Sequence, residues 1–214
     1  MGKMLLATRS KLSKILNCAT ENVALIANAT TGTNAVLRDL VYKSNDAILT
    51  FSITYGAVDK NIDYLIETEK MRGIQLHKVV VNFNMPMSTE DILKTLKRSI
   101  DEAQSRGKKI RIGIIDTISS RPGLRLPWVE MVKILKEKQI LSLVDGAHGI
   151  GHIPIDLHAS DPDFFVSNCH KWLYAHRGCA VFYVASRNLH LQRTSLPTSW
   201  FYESDASTES NSWA

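Results

Sequence analysis

The sequence has no apolar run of the roughly eighteen residues that a membrane-spanning helix needs, so no spanning segment is expected. It has no block of about five or six like charges, and it shows no RRM, zinc-finger or helix-turn-helix signature. The formal net charge of +5 is scattered along the chain, and nucleic acid is not an expected partner. Cysteine is scarce: Cys18, Cys169 and Cys179 form no CxxC pair, and any disulfide would leave one unpaired. That usage fits a reducing compartment, and cytoplasm is the expected location. Neither GxGxxG nor GxxxxGK[ST] occurs, which argues against an ordinary nucleotide-binding α/β protein. His152, His158 and His176 lack metal-ligand spacing, so no metal site is expected.

What is present is a large apolar complement, 44% of 214 residues, enough for one substantial core. The opening MGKMLLATRSKLSKIL reads as an amphipathic helix that runs into the fold pattern, without the apolar core and cleavage site of a leader. Strand candidates recur as NVALIA, DAILTF, IQLHKVVV, KIRIGIID, ILSLVD, DFFVSN and CAVFYV. Most are continuous runs of Val, Ile, Leu and Phe, as strands covered on both faces require. Between them TTGTNAVLRDLVY, GAVDKNIDYLIETEKM, STEDILKTLKRSIDEAQSRG and LPWVEMVKILKEKQ carry helical spacing, with Ser88 or Thr89 ahead of Glu90 and Asp91 as a helix start. The alternation predicts a mostly parallel seven-stranded α/β sheet flanked by helices over residues 1–200, followed by a polar tail without packed structure at 201–214.

In such sheets ligands bind beyond the carboxyl ends of the strands. The loops there read NATTGTN, SITYGA, DTISSRPG, DGAHGIG and SNCHKW, rich in hydroxyls, donors and ionisable groups. Lys171 follows one apolar strand run and Asp145 ends the preceding one, so both can reach one point above the sheet edge. A buried amine facing a carboxylate is either an ion pair or a pair used chemically. The company of His148, His170 and a helix-opening TTGTN, whose N–H groups and dipole suit a phosphate, favours chemistry. Pyridoxal 5'-phosphate uses such a set together: an amine for a Schiff base, a carboxylate at the ring nitrogen, a donor at the ring hydroxyl, an aromatic over the ring and a phosphate cradle.

The motifs DGAH and HKW, with NATTGTNAVL upstream, resemble the class V aminotransferase superfamily of pyridoxal-phosphate enzymes, in the branch of isopenicillin N epimerase-like proteins, cysteine desulfurases and C–S lyases. The resemblance implies the large domain of fold type I, with Lys171 as the internal-aldimine lysine, Asp145 at the pyridine nitrogen and His148 near the ring hydroxyl. It implies Tyr55 as the stacking aromatic and Thr30, Thr31 and Gly32 as the phosphate turn. Asn168 and His170 are further phosphate contacts, and Ser120 lies beside the ring oxygen. Plainer readings stand beside these: Tyr55 as an amphipathic tyrosine at a strand end, His148 as a turn cap, Thr30 to Thr33 as a helix N-cap, Trp172 as packing beneath the loop, and Cys179 as core.

By the same resemblance the chain lacks the small C-terminal domain, the family is homodimeric, and the substrate is an amino acid. The activity implied is that of a C–S lyase, a desulfurase-like enzyme or an epimerase. The alternative is a truncated, non-catalytic relative acting as a binding module or an inactive fragment. On either view the 214-residue chain alone is expected to bind the cofactor weakly and to show little turnover.

Overall fold

The structure is a computed structural model that describes residues 2–193; the predicted tail at 201–214 and the boundary near residue 200 lie outside the described residues. Seven strands form one sheet: β1 (Val23–Ile26), β2 (Asp46–Phe51), β3 (His77–Val81), β4 (Lys109–Asp116), β5 (Leu141–Asp145), β6 (Phe164–Ser167) and β7 (Ala180–Val184). Each predicted run contains one of them. Their order is β1-β7-β6-β5-β4-β2-β3. The pairs from β3 to β6 are parallel, whereas β7 runs antiparallel to both β6 and β1.

The helices divide between the two faces of the sheet, which explains why the central strands are apolar on every side. On one face α1 (Gly2–Leu16), α4 (Thr89–Ser105) and α5 (Trp128–Glu137) bury Leu12, Leu16, Leu96, Ile100, Met131 and Leu135 against Leu49, Ile115 and Phe165. On the other, α2 (Ala29–Asp39) and α3 (Gly56–Met71) bury Val36, Leu37, Ile62 and Leu65 against Ile48, Ile114 and Phe164. Ser88 caps α4 by accepting from Asp91 N–H at 3.1 Å, one of the two starts the sequence offered. No helix among the described residues is long and apolar enough to cross a membrane.

Parallel pairing sets the carboxyl ends of β4, β5 and β6 side by side. Asp116 pairs with Asp145 in register, and Asp145 with Val166, so the three strands deliver their following loops to one edge. The short helix α7 (Cys169–Trp172) follows β6 beyond that edge and carries Lys171; another, α6 (Leu157–Ser160), precedes β6.

Candidate active site

Above this edge lies a cavity of about 200 Å³, walled by Asn28, Ala29, Thr30, Tyr55, Asp116, Ser120, Asp145, Ala147, His148, Asn168, His170 and Lys171. Segments distant in sequence thus contribute to one site. Of the ten residues singled out from the sequence, Thr31 and Gly32 alone are missing from this wall.

Their positions have local causes. The Asn28 side-chain oxygen caps α2 by accepting from Thr31 N–H at 2.8 Å, and the exposed Thr31 also donates its hydroxyl to that oxygen at 3.1 Å. Gly32 is pressed onto the sheet: a Cβ there would lie 2.6 Å from Val166 Cγ1 and 2.7 Å from Ile26 Cδ1, so close helix–strand packing accounts for the glycine. Asn168 is buried, and its carbonyl oxygen accepts from Ala29 N–H at 2.9 Å, tying the start of α2 to the end of β6. Thr30, in the first turn of α2, lines the cavity, where a helix amino terminus attracts an anion.

The ionisable groups form a graded set. Lys171 is half-buried, and its Nζ lies 3.0 Å from His148 Nε2. His148 Nδ1 in turn accepts from the Trp172 indole N–H at 3.2 Å. Trp172 is 40% exposed and stacks on the His152 ring at 4.2 Å, so it does not pack beneath the loop as the sequence suggested. His170 Nδ1 donates to the Cys179 carbonyl at 2.9 Å, which fixes that ring against the start of β7. Cys179 itself is partly buried and packs on the edge of the core. Tyr55 precedes α3 and is 45% exposed at the mouth.

Behind these groups sits a carboxyl pair. Asp145 accepts from Ala147 N–H at 2.9 Å. Burial raises its pKa, opposed by that N–H and by Lys171. Asp116 is the residue the sequence reading passed over. It is buried, its Oδ2 has no partner, and its pKa is pushed well above the carboxylate range by burial and by the neighbouring Asp145. Of the pair, Asp145, whose carboxylate the Ala147 N–H favours, is the better anion, and Asp116 is the carboxyl pushed further toward its protonated form. Asp116 ends the predicted strand KIRIGIID, but only the register shows that it faces Asp145. On the amine side, burial lowers the pKa of Lys171 despite the opposing pull of Asp145. Burial, Lys171 and His152 lower that of His148. The site thus brings an amine whose pKa burial lowers, a buried carboxyl pair and a helix amino terminus around one cavity. Among the described residues no cluster of three or more His, Cys, Asp or Glu is arranged to hold a metal.

A seven-stranded, mostly parallel sheet that gathers these groups at its carboxyl edge has the fold type I architecture. The chain belongs to the class V aminotransferase family, whose model matches residues 1–204. It is 36% identical over 199 residues to the L-cysteine desulfhydrase-like protein lolT2 of Epichloe uncinata, covering 93% of this chain and 42% of that protein. It is 32% identical to the hercynylcysteine sulfoxide lyase of Schizosaccharomyces pombe, covering 92% of this chain and 47% of that one. Among solved structures, the cystine C–S lyase C-DES bound to its product cysteine persulfide superposes with a TM-score of 0.77 at 21% identity, over 89% of this chain and 48% of that one. The chain spans about half the length of the curated relatives it matches.

Proposed function

We propose that this chain is the cofactor-bearing large domain of a pyridoxal-phosphate enzyme that cleaves a carbon–sulfur bond in an amino acid related to cysteine. The observation that carries it is the convergence of Lys171, Asp145 and His148 on one cavity that also receives the amino terminus of α2. The donor set fits the cofactor: an amine for its aldehyde, a buried carboxylate for its ring nitrogen, an aromatic at the mouth and a helix terminus for its phosphate. Relatives more than 30% identical are named for sulfur chemistry on cysteine or a cysteine conjugate, which favours C–S cleavage over epimerisation.

When bound, pyridoxal phosphate supplies an electron sink that weakens bonds at the substrate α-carbon. Lys171 supplies the amine and afterwards takes and returns a proton at its Nζ, a task suited to an amine whose pKa burial has lowered. Asp145 presents a negative carboxylate oxygen at the end of β5, where it favours a proton on the atom facing it. The amino terminus of α2 at Thr30 and its dipole hold an anionic group, with Asn168 and His170 also lining the cavity. Tyr55 brings an aromatic ring and Ser120 a hydroxyl-bearing side chain to the lining.

The chain covers under half of its relatives' length, so we propose that turnover belongs to this domain together with further protein. A homodimer is the assembly we propose, supported by Met4 (79% exposed) and Leu6 (57% exposed) on α1, which present apolar surface. Cytoplasm is the proposed location, supported by three free cysteines.

The test is borohydride reduction of the protein after incubation with pyridoxal phosphate, followed by peptide mapping. The cofactor mass is expected on the peptide containing Lys171. Its appearance on a different lysine would contradict the assignment.

A further inference from the structure

His148 stands between two nitrogen groups, and the two contacts together constrain where hydrogens can be. The Trp172 Nε1 is a donor only. At 3.2 Å from His148 Nδ1 it therefore requires that nitrogen to be bare. A neutral imidazole must then carry its hydrogen on Nε2. That hydrogen faces Lys171 Nζ at 3.0 Å, and a bond between them needs a lone pair on the amine. The opposite assignment, an ammonium donating to Nε2, would leave the imidazole with no hydrogen at all.

We propose that the Trp172 indole N–H selects the Nε2–H tautomer of His148 and thereby holds Lys171 as an unprotonated amine before cofactor binds. Trp172 is thus a positioning residue that acts on Lys171 through His148. Its own placement is determined locally. The His152 ring stacks against the indole at 4.2 Å with the planes 27° apart, and His152 Nδ1 donates to the His148 carbonyl at 3.2 Å. Gly151, at φ 77°, lets the backbone of Trp172 approach closely: a Cβ there would stand 2.4 Å from the Trp172 carbonyl oxygen.

The remaining groups around the amine decide how far the tautomer matters. Asp145 on β5 favours an ammonium, and Asp116 on β4 adds little charge while it holds its proton. His170, the neighbour on α7, is engaged with the Cys179 carbonyl. His152 opposes a charge on His148. Burial lowers the pKa of both Lys171 and His148, the direction a neutral pair requires. A half-buried amine beside a buried carboxylate would ordinarily be an ammonium. The histidine that cannot accept from it turns the balance the other way.

The inference deepens the proposed role of Lys171 and rests on that reading for its consequence, but the tautomer can be measured without cofactor. In the cofactor-free 214-residue chain with ¹⁵N-histidine, long-range proton–nitrogen spectra are expected to show His148 with a bare Nδ1 and a protonated Nε2. Trp172→Phe keeps the ring stack and removes the N–H; the Nδ1–H form should then appear. In the same variant the pH midpoint of Lys171 acetylation, read by mass spectrometry, should rise by about 1 on the pH scale, a roughly tenfold slower labelling below both midpoints.

A wild-type His148 with hydrogen on Nδ1 would overturn the proposal, and that spectrum decides alone if the variant does not fold. An unchanged tautomer in Trp172→Phe would overturn it as well, even if the midpoint moved, because Trp172 would then act by burial. So would a changed tautomer that left the midpoint where it was. Borohydride capture on another lysine would sink the functional reading but leave the tautomer result standing.

Discussion

Two lysines of this chain sit in partly buried places beside two aspartates, and they are made into different things. Lys78, on the edge strand β3, donates to Asp59 at 2.9 Å and to Asp63 at 2.5 Å, both from α3. Burial works against its charge, but the two hydrogen-bonded carboxylates win, and its pKa is raised. Lys171 has the Asp145 and Asp116 carboxyls behind it, yet among the described residues no carboxylate lies within ion-pair distance of its Nζ; His148 does. Asp116 is pushed toward its protonated form and the Asp145 carboxylate is shared with the Ala147 N–H; burial outweighs the pull of Asp145 on the amine, and the pKa falls. Proximity to acid therefore does not make a lysine a structural cation. Direct charge-assisted hydrogen bonds do, and their replacement by an imidazole leaves a nucleophile.

The contrast is tested most severely by removing each lysine in turn. Lys171→Met should abolish covalent cofactor capture in this chain and, in the longer protein proposed to carry turnover, lower C–S cleavage by at least about 10²-fold, the scale of a lost acid–base group. Lys78→Met should leave capture intact and cost about 1 kcal/mol or less of stability, as exposed pairs do, measured by urea unfolding. Equal effects on capture would erase the distinction.

Asp145→Asn comes next. It keeps the shape and removes the charge, so turnover of the longer protein proposed to carry it should fall about 10²-fold while the urea midpoint holds. A variant with wild-type turnover would show that Asp145 does not serve the cofactor.

Gly151→Ala should perturb the lysine's surroundings through the backbone. The added methyl meets the Trp172 carbonyl at 2.4 Å and the residue is already at φ 77°. Overpacking of about 1–3 kcal/mol is expected, together with slower acetylation of Lys171. Unchanged stability and labelling would show that the Trp172 segment is free to move away.

The effect of Asp116→Asn is smaller and depends on pH. Because the folded-state pKa of Asp116 is raised, the native chain binds this proton more tightly than the unfolded one. The resulting stability is complete below the ordinary carboxylate range and is lost as pH rises toward the folded value. Urea titrations from about pH 4 to pH 8 should therefore show the variant gaining on the parent by at least about 1 kcal/mol, the free energy of a tenfold change in the binding of one proton. A constant difference across that window would mean that Asp116 is ionised like an ordinary surface acid.

Much of this architecture is readable without coordinates, and the unread part has a common physical origin. The runs DAILTF and KIRIGIID match β2 and β4 end to end, and GAVDKNIDYLIETEKM matches α3, because burial on both faces and helical spacing are local signals. DGAH and HKW stand out because their residue types are chemically unusual after apolar strands. Register and side-chain direction are not local. That Asp116 faces Asp145 follows from β4 pairing with β5, and that β7 runs antiparallel follows from the sheet as a whole. Gly32 reads as a phosphate turn, and only the 2.6 Å approach to Val166 shows what packing asks of it. Trp172 reads as packing beneath the loop; its indole N–H, aimed at His148, becomes visible only once the loop after β5 is set beside α7.

The most direct measurement is competitive acetylation of Lys171 and Lys78 in one sample of the cofactor-free chain, followed across pH by mass spectrometry of the two peptides. Lys171 should show a midpoint below that of an ordinary lysine, and Lys78 a midpoint above it. Coincident midpoints, or Lys171 titrating above Lys78, would mean that the imidazole contact does not keep the amine neutral.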